Sequence, residues 1–135
     1  MLKPLAKDIE TWGQGLNSKG DVLGYSFVPG LTEHIGFWQG PTFVTRFTEG
    51  NRTVLTRSSQ LLWNEPGLIV ITDTTDNTSY LVPKPNVRLD LDSLTSGLPH
   101  WNQMVDVNNN GDLVGVGGSN TDEITQVFLL QRLPC

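Results

Sequence analysis

The sequence predicts an all-β fold made of three related units, and three observations carry that prediction. The stretch Asp106-Val107-Asn108-Asn109-Asn110-Gly111-Asp112-Leu113-Val114-Gly115 has two degenerate counterparts upstream, Leu16 to Gly24 and Trp63 to Ile71. All three read as an apolar residue, Asn, two variable residues, Gly, one variable residue and an apolar run. The asparagines, Asn17, Asn64 and Asn108, recur at steps of 47 and 44 residues, a period typical of stacked or radially arranged modules. Each copy is followed by a small or apolar residue, an aromatic and a large apolar residue: Gly36-Phe37-Trp38, Ser79-Tyr80-Leu81 and Val127-Phe128-Leu129. Composition points the same way. Charged residues make up only 17% of the chain, and 14 Gly and 8 Pro among many Ser and Thr favour short strands joined by turns.

Residues 1–11 form a lead-in that reads either as a helical turn around Ala6 to Glu10 or as an edge strand. The first unit, 12–48, should hold strands near 12–16, 21–28, 34–38 and 41–48, with breaks at Pro29-Gly30 and Gln39-Gly40-Pro41. Its first two strands form a hairpin, because Asn can fold its side chain onto the backbone at a turn and Gly accepts positive φ. The second unit, 53–91, repeats this near 53–62, 68–73, 78–82 and 86–91. Residues 92–100 are a connector with one helical turn, capped by Asp92 or Ser93 and ended by Gly97. The third unit, 101–131, has strands near 101–107, 112–117 and 125–131, one fewer than the others. Three- to four-stranded antiparallel units of about 45 residues have the content of β-propeller blades. In a closed ring a strand from the other terminus completes the last blade, and the segment before Trp12 is the candidate. The 135 residues are read as a single domain.

The unit resembles the repeat of the extracellular proteins named for a His-Ala-Phe tripeptide. The likeness spans roughly residues 12–131 and is strongest at Asn17, Gly20, Gly24 and Phe37, and at Asn108, Gly111, Gly115 and Phe128. The second copy departs from it at Pro66, Ile71 and Tyr80, and no copy keeps the His-Ala pair. The resemblance implies an all-β, propeller-like array at an extracellular or cell-surface location, without catalytic residues to carry over.

The net charge of −5, with no Lys/Arg cluster, gives no footprint for nucleic acid or an anionic membrane. The single cysteine, Cys135, allows no intramolecular disulfide. No apolar run approaches the roughly 20 residues of a membrane span, and the first residues lack the apolar core of a signal peptide. Three units are too few to close a propeller, which typically takes about four to eight blades. The expectation is therefore a homo-oligomer or a piece of a larger repeat array, with collapse into a compact sandwich or small barrel as the other outcome.

Three groups of residues could carry function. Asp106, Asn108, Asn110 and Asp112 place oxygens at alternating positions around Gly111, which matches the first half of a Ca²⁺ loop. The second half fails, with Val114 and Gly117 where ligands are needed, so a structural turn is the preferred reading. A hydrolytic site would have to use His34 or His100, and no nucleophile motif accompanies either. Trp12, Trp38, Trp63 and Trp101 are mostly core candidates; Trp101 beside His100 is the best placed to be exposed for stacking on a ligand. The variable loops at 28–34, 48–53, 73–78 and 118–124 are where a scaffold would carry specificity. The favoured function is a non-enzymatic β-repeat scaffold that presents loops to protein or carbohydrate, or self-associates. The alternative is a small metal-dependent or hydrolytic domain using the loop from Asp106 to Asp112 with His100.

Overall fold

The computed structural model describes residues 2–28, 33–49, 60–73, 78–99, 101–118 and 126–133. The fold is all-β. Strands β1 (Glu10–Leu16), β2 (Val22–Phe27), β3 (Glu33–Gln39) and β4 (Thr42–Glu49) form an antiparallel meander, the first sheet. The second sheet runs through β5 (Gln60–Trp63), β6 (Ile69–Asp73), β7 (Thr78–Val82) and β8 (Leu89–Asp90). The third has β9 (Trp101–Val107), β10 (Leu113–Gly118) and β11 (Gln126–Leu130). None of the three sheets closes on itself. The expected first part of β5, residues 53–59, lies outside the described residues.

Side chains alternate across a strand, so the apolar pattern decides how the sheets pack. In β6 the residues Ile69, Val70, Ile71 and Thr72 are all at most 1% exposed, as expected for a strand covered on both faces. Ile69 and Ile71 join Leu61, Tyr80 and Val82 against Leu23, Tyr25, Phe27 and Ile35 of the first sheet. Val70 belongs to a different cluster, with Leu91 and with Met104 and Leu113 of the third sheet. The second sheet is therefore the middle layer. Phe37 meets Trp63 edge-on at 5.0 Å and Phe47 tilts against Tyr80 at 5.8 Å, which adds aromatic contacts to the first interface.

The lead-in does not complete the third sheet, as a closed ring would have required. It covers the outward face of the first sheet instead. Ser26 Oγ accepts a hydrogen bond from the Leu5 backbone N–H and donates to Asp8, whose carboxylate also meets His34 Nδ1 at 2.8 Å. Trp38 Nε1 donates to the Lys3 carbonyl, and the Ile9 N–H donates to the Phe27 carbonyl. Ser26 and Trp38 are at most 1% exposed as a result. The helical turn also forms earlier than its expected capping residues. It spans Leu91–Leu94 with Asp90 at the N-cap, because Leu91 is drawn into the core between the second and third sheets.

Bulges explain where glycine is needed. Pairing of β1 with β2 slips between Gly13 and Gly15, leaving Gln14 as the extra residue. Pairing of β9 with β10 slips in the same way at Val105, so that Val114 faces Asp106 and Gly115 faces Met104. Gln14 and Val105 both lie three residues before the turn asparagine. At each slip the opposite backbone moves in: a Cβ on Gly24 would run into the Trp12 carbonyl, and one on Gly115 would sit 2.8 Å from the Gln103 carbonyl oxygen. The second sheet has Ile71 at the matching position, and its pairing with β5 runs through Leu61 without a slip.

Candidate functional site

Each sheet has the same tight hairpin loop between its first two strands. In the first, the Asn17 N–H donates to the Asp21 carbonyl and the Gly20 N–H to the Asn17 carbonyl; Asn64 with Leu68 and Gly67, and Asn108 with Asp112 and Gly111, do the same. The glycines hold φ of 86°, 98° and 87°, which a Cβ would oppose. The asparagine side chains complete the turns. Asn17 Oδ1 accepts from the Lys19 and Asp21 N–H groups, Asn108 Oδ1 from those of Asn110 and Asp112, and Asn64 Oδ1 from that of Leu68.

The three turns are bonded to one another in a row. Ser18 donates through its N–H and its Oγ to the two Glu65 carboxylate oxygens, both at 2.8 Å. The Glu65 N–H donates in turn to Asn109 Oδ1, and Asn64 Nδ2 to the Asn108 carbonyl. Ser18, Glu65 and Asn109 each directly follow the turn asparagine. Of the three asparagines only Asn64 is buried, at 5% exposure, and its side chain serves two turns. Asn64→Ala should therefore cost about 2 kcal/mol by leaving the Leu68 N–H and the Asn108 carbonyl without their partner. Asn64→Asp should not rescue it, since it aims a carboxylate oxygen at a carbonyl. Urea melts that place Asn64→Ala within about 0.5 kcal/mol of the parent, the usual surface range, would contradict this.

The turn register also matches the sheet faces. Leu16 pairs with Val22, Trp63 with Ile69 and Val107 with Leu113, so Leu23, Val70 and Val114 correspond, as do Tyr25, Thr72 and Val116. Leu23 and Tyr25 are buried against the second sheet. Val70 is buried against the third, and Thr72 Oγ1 accepts a hydrogen bond from the Met104 N–H at 3.1 Å. Val114 and Val116 have no sheet beyond them among the described residues. Their partners across β11 are Leu129 and Val127, which are 61% and 75% exposed, and Val105 at the bulge is 55% exposed. Among the described residues the corresponding face is thus buried under a sheet twice and left without one once, where Val114 and Val116 are half-buried between the exposed Leu129, Val127 and Val105.

A groove of about 730 Å³ lies beside the turns, lined by Leu68, Leu81, Leu91, Leu113 and Leu130 among others. It has little local signature, because its walls come from two sheets and the Leu91 helix; the leucine-rich stretch from Leu89 to Leu98 is the one signal along the chain that bears on it.

Trp101 is half-buried at the start of β9, paired with Gly118. His100 lies outside the described residues, as do the central parts of the four variable loops. Asp106 Oδ1 accepts from the Val107 N–H, while Asn108 and Asp112 are engaged with each other through Asn108 Nδ2 and Asp112 Oδ2. The Arg132 backbone N–H and the Asn108 side chain hold the Asp112 carboxyl below its ordinary range. Asn110 lies in the same turn. Trp101 and this turn sit at opposite ends of β9, about 20 Å apart for a strand of this length, so they do not form one site. Among the described residues no group of three or more His, Cys, Asp or Glu could hold a metal ion.

No protein-family profile, curated protein or solved structure matches the chain. Among the described residues no helix is long and apolar enough to cross a membrane.

Proposed function

We propose that the chain is a non-enzymatic β-repeat scaffold: three blade-like units of about 45 residues, stacked through their Asn-x-x-Gly turns, that binds protein or carbohydrate through loops, self-associates through its free end, or does both. The carrying observation is the face that is buried in the first two sheets and open in the third. It gives the surface a stacking role, and the Asn108 and Asp112 side chains of the loop that could have carried chemistry are engaged in hydrogen bonds that shape their own turn and tie it to the end of β11. In this reading the likeness of Asp106 to Asp112 to a calcium loop is a by-product of the turn.

Calcium titration tests the reading against a metal-dependent one. A loop with a Kd of about 10 μM would stabilise the fold by about 2.7 kcal/mol at 1 mM Ca²⁺, raising Tm by about 10 °C. The scaffold predicts a shift below about 1 °C, the same for Asp112→Asn as for the parent. A rise of several degrees that Asp112→Asn abolishes would replace the scaffold with a metal-binding domain.

A further inference from the structure

We infer that the open face of the third sheet pairs with the same face of a second copy of this chain, about a two-fold axis. The inference rests on the scaffold reading and names its partner. The face consists of Val114 and Val116 with their cross-strand partners Leu129 and Val127, beside Val105 at the bulge. These side chains are aliphatic. On the β9 side, Asp106 stands opposite Val114 and Gln103 opposite Val116, which gives the patch a polar edge. Rows of β-branched side chains pack face to face against another sheet, about 10 Å away.

Two features select the occupant. The corresponding faces of the first and second sheets are covered by a neighbouring sheet, so the surface is shaped for a sheet. The opposite end of the stack is closed by the chain's own residues 3–9, tied down through Ser26, Asp8, His34 and Trp38. A head-to-tail copy would have to displace that segment. A stack with one closed and one open end satisfies itself by pairing its open ends, an isologous contact that stops at two. The apolar patch is on the order of 300–400 Å² per copy, small beside the ~800 Å² per partner of standard interfaces. The dimer is therefore weak and concentration-dependent.

The test is sedimentation of the intact chain from about 1 μM to 1 mM, a range that spans Kd values worth about 4 to 8 kcal/mol. The expected result is a rise toward twice the monomer mass, lost in Leu129→Lys with Tm unchanged, because Leu129 already faces solvent in the monomer. In a Cys135→Ser background, Val127→Cys should form a disulfide-linked dimer under mild oxidant while Lys7→Cys should not. A monomer throughout the range, a dimer that survives Leu129→Lys, or growth beyond two copies would each overturn the inference. A monomer that still ignores Ca²⁺ would leave the scaffold reading standing.

Discussion

Gly24→Ala is expected to lower stability by about 3 kcal/mol, at the upper end of what one added methyl costs in a packed interior. The methyl would meet the Trp12 carbonyl oxygen, with the Trp12 carbonyl carbon at 3.0 Å and Gly13 Cα at 3.1 Å. All three are backbone atoms of the paired strand, so no rotamer change relieves the clash; the bulge at Gln14 would have to unwind. Gly13→Ala is the matched control, since its methyl would find Val22 Cγ1 at an ordinary 3.7 Å. Its cost should stay under about 1 kcal/mol. Equal urea midpoints for the two variants would show that the bulge does not impose the glycine.

Trp38→Ala is expected to cost about 4 kcal/mol, in the range for removing a buried aromatic. Trp38 is 1% exposed and packs against Phe43 with ring centroids 4.8 Å apart. Its Nε1 also holds the Lys3 carbonyl, so its loss should loosen the lead-in beyond the loss of packing. Trp38→Phe separates the two effects: most of the packing stays and the hydrogen bond goes. In Trp38→Phe the Leu5 and Ile9 amides, bonded to Ser26 and Phe27, should exchange faster with solvent while the β6 amides keep their protection. Unchanged exchange at Leu5 would mean that the lead-in is held without Trp38.

The strands were legible because Asn-x-x-Gly turns and period-2 patterns are local signals, and the observed elements fall within a few residues of those expected wherever the chain is described. The glycines were legible as a pattern but not as a cause. That Gly24 and Gly115 accompany bulges, and Ile71 the lack of one, depends on where the opposite strand runs. The aromatic recurrence misled in one respect. Tyr80 and Phe128 occupy matching register, opposite Ile71 and Gly115, whereas Gly36 stands at that place opposite Gly24 and Phe37 falls one residue on, opposite Leu23. A one-residue offset turns a side chain to the other face of a sheet, and spacing from the asparagine could not reveal it because the intervening loops differ in length. The lead-in was illegible for another reason: its partners, Ser26, His34 and Trp38, are scattered through two later strands. The calcium-like loop shows the limit for sites, since oxygens at suitable spacing serve a turn as readily as a metal.

The doubly buried β6 has a consequence for how the molecule comes apart. Its odd-numbered residues are held by one neighbour and its even-numbered residues by the other, and β5 and β7 likewise reach both clusters through Leu61, Tyr80 and Val82 on one face and Leu62 and Leu81 on the other, so the outer sheets are coupled through the middle layer. Such a stack behaves as a one-dimensional row of nearest-neighbour couplings. Loss of an end layer can leave the rest standing, whereas loss of the middle layer removes both couplings at once, which makes the middle sheet, with β6 at its centre, the cooperative hinge of unfolding.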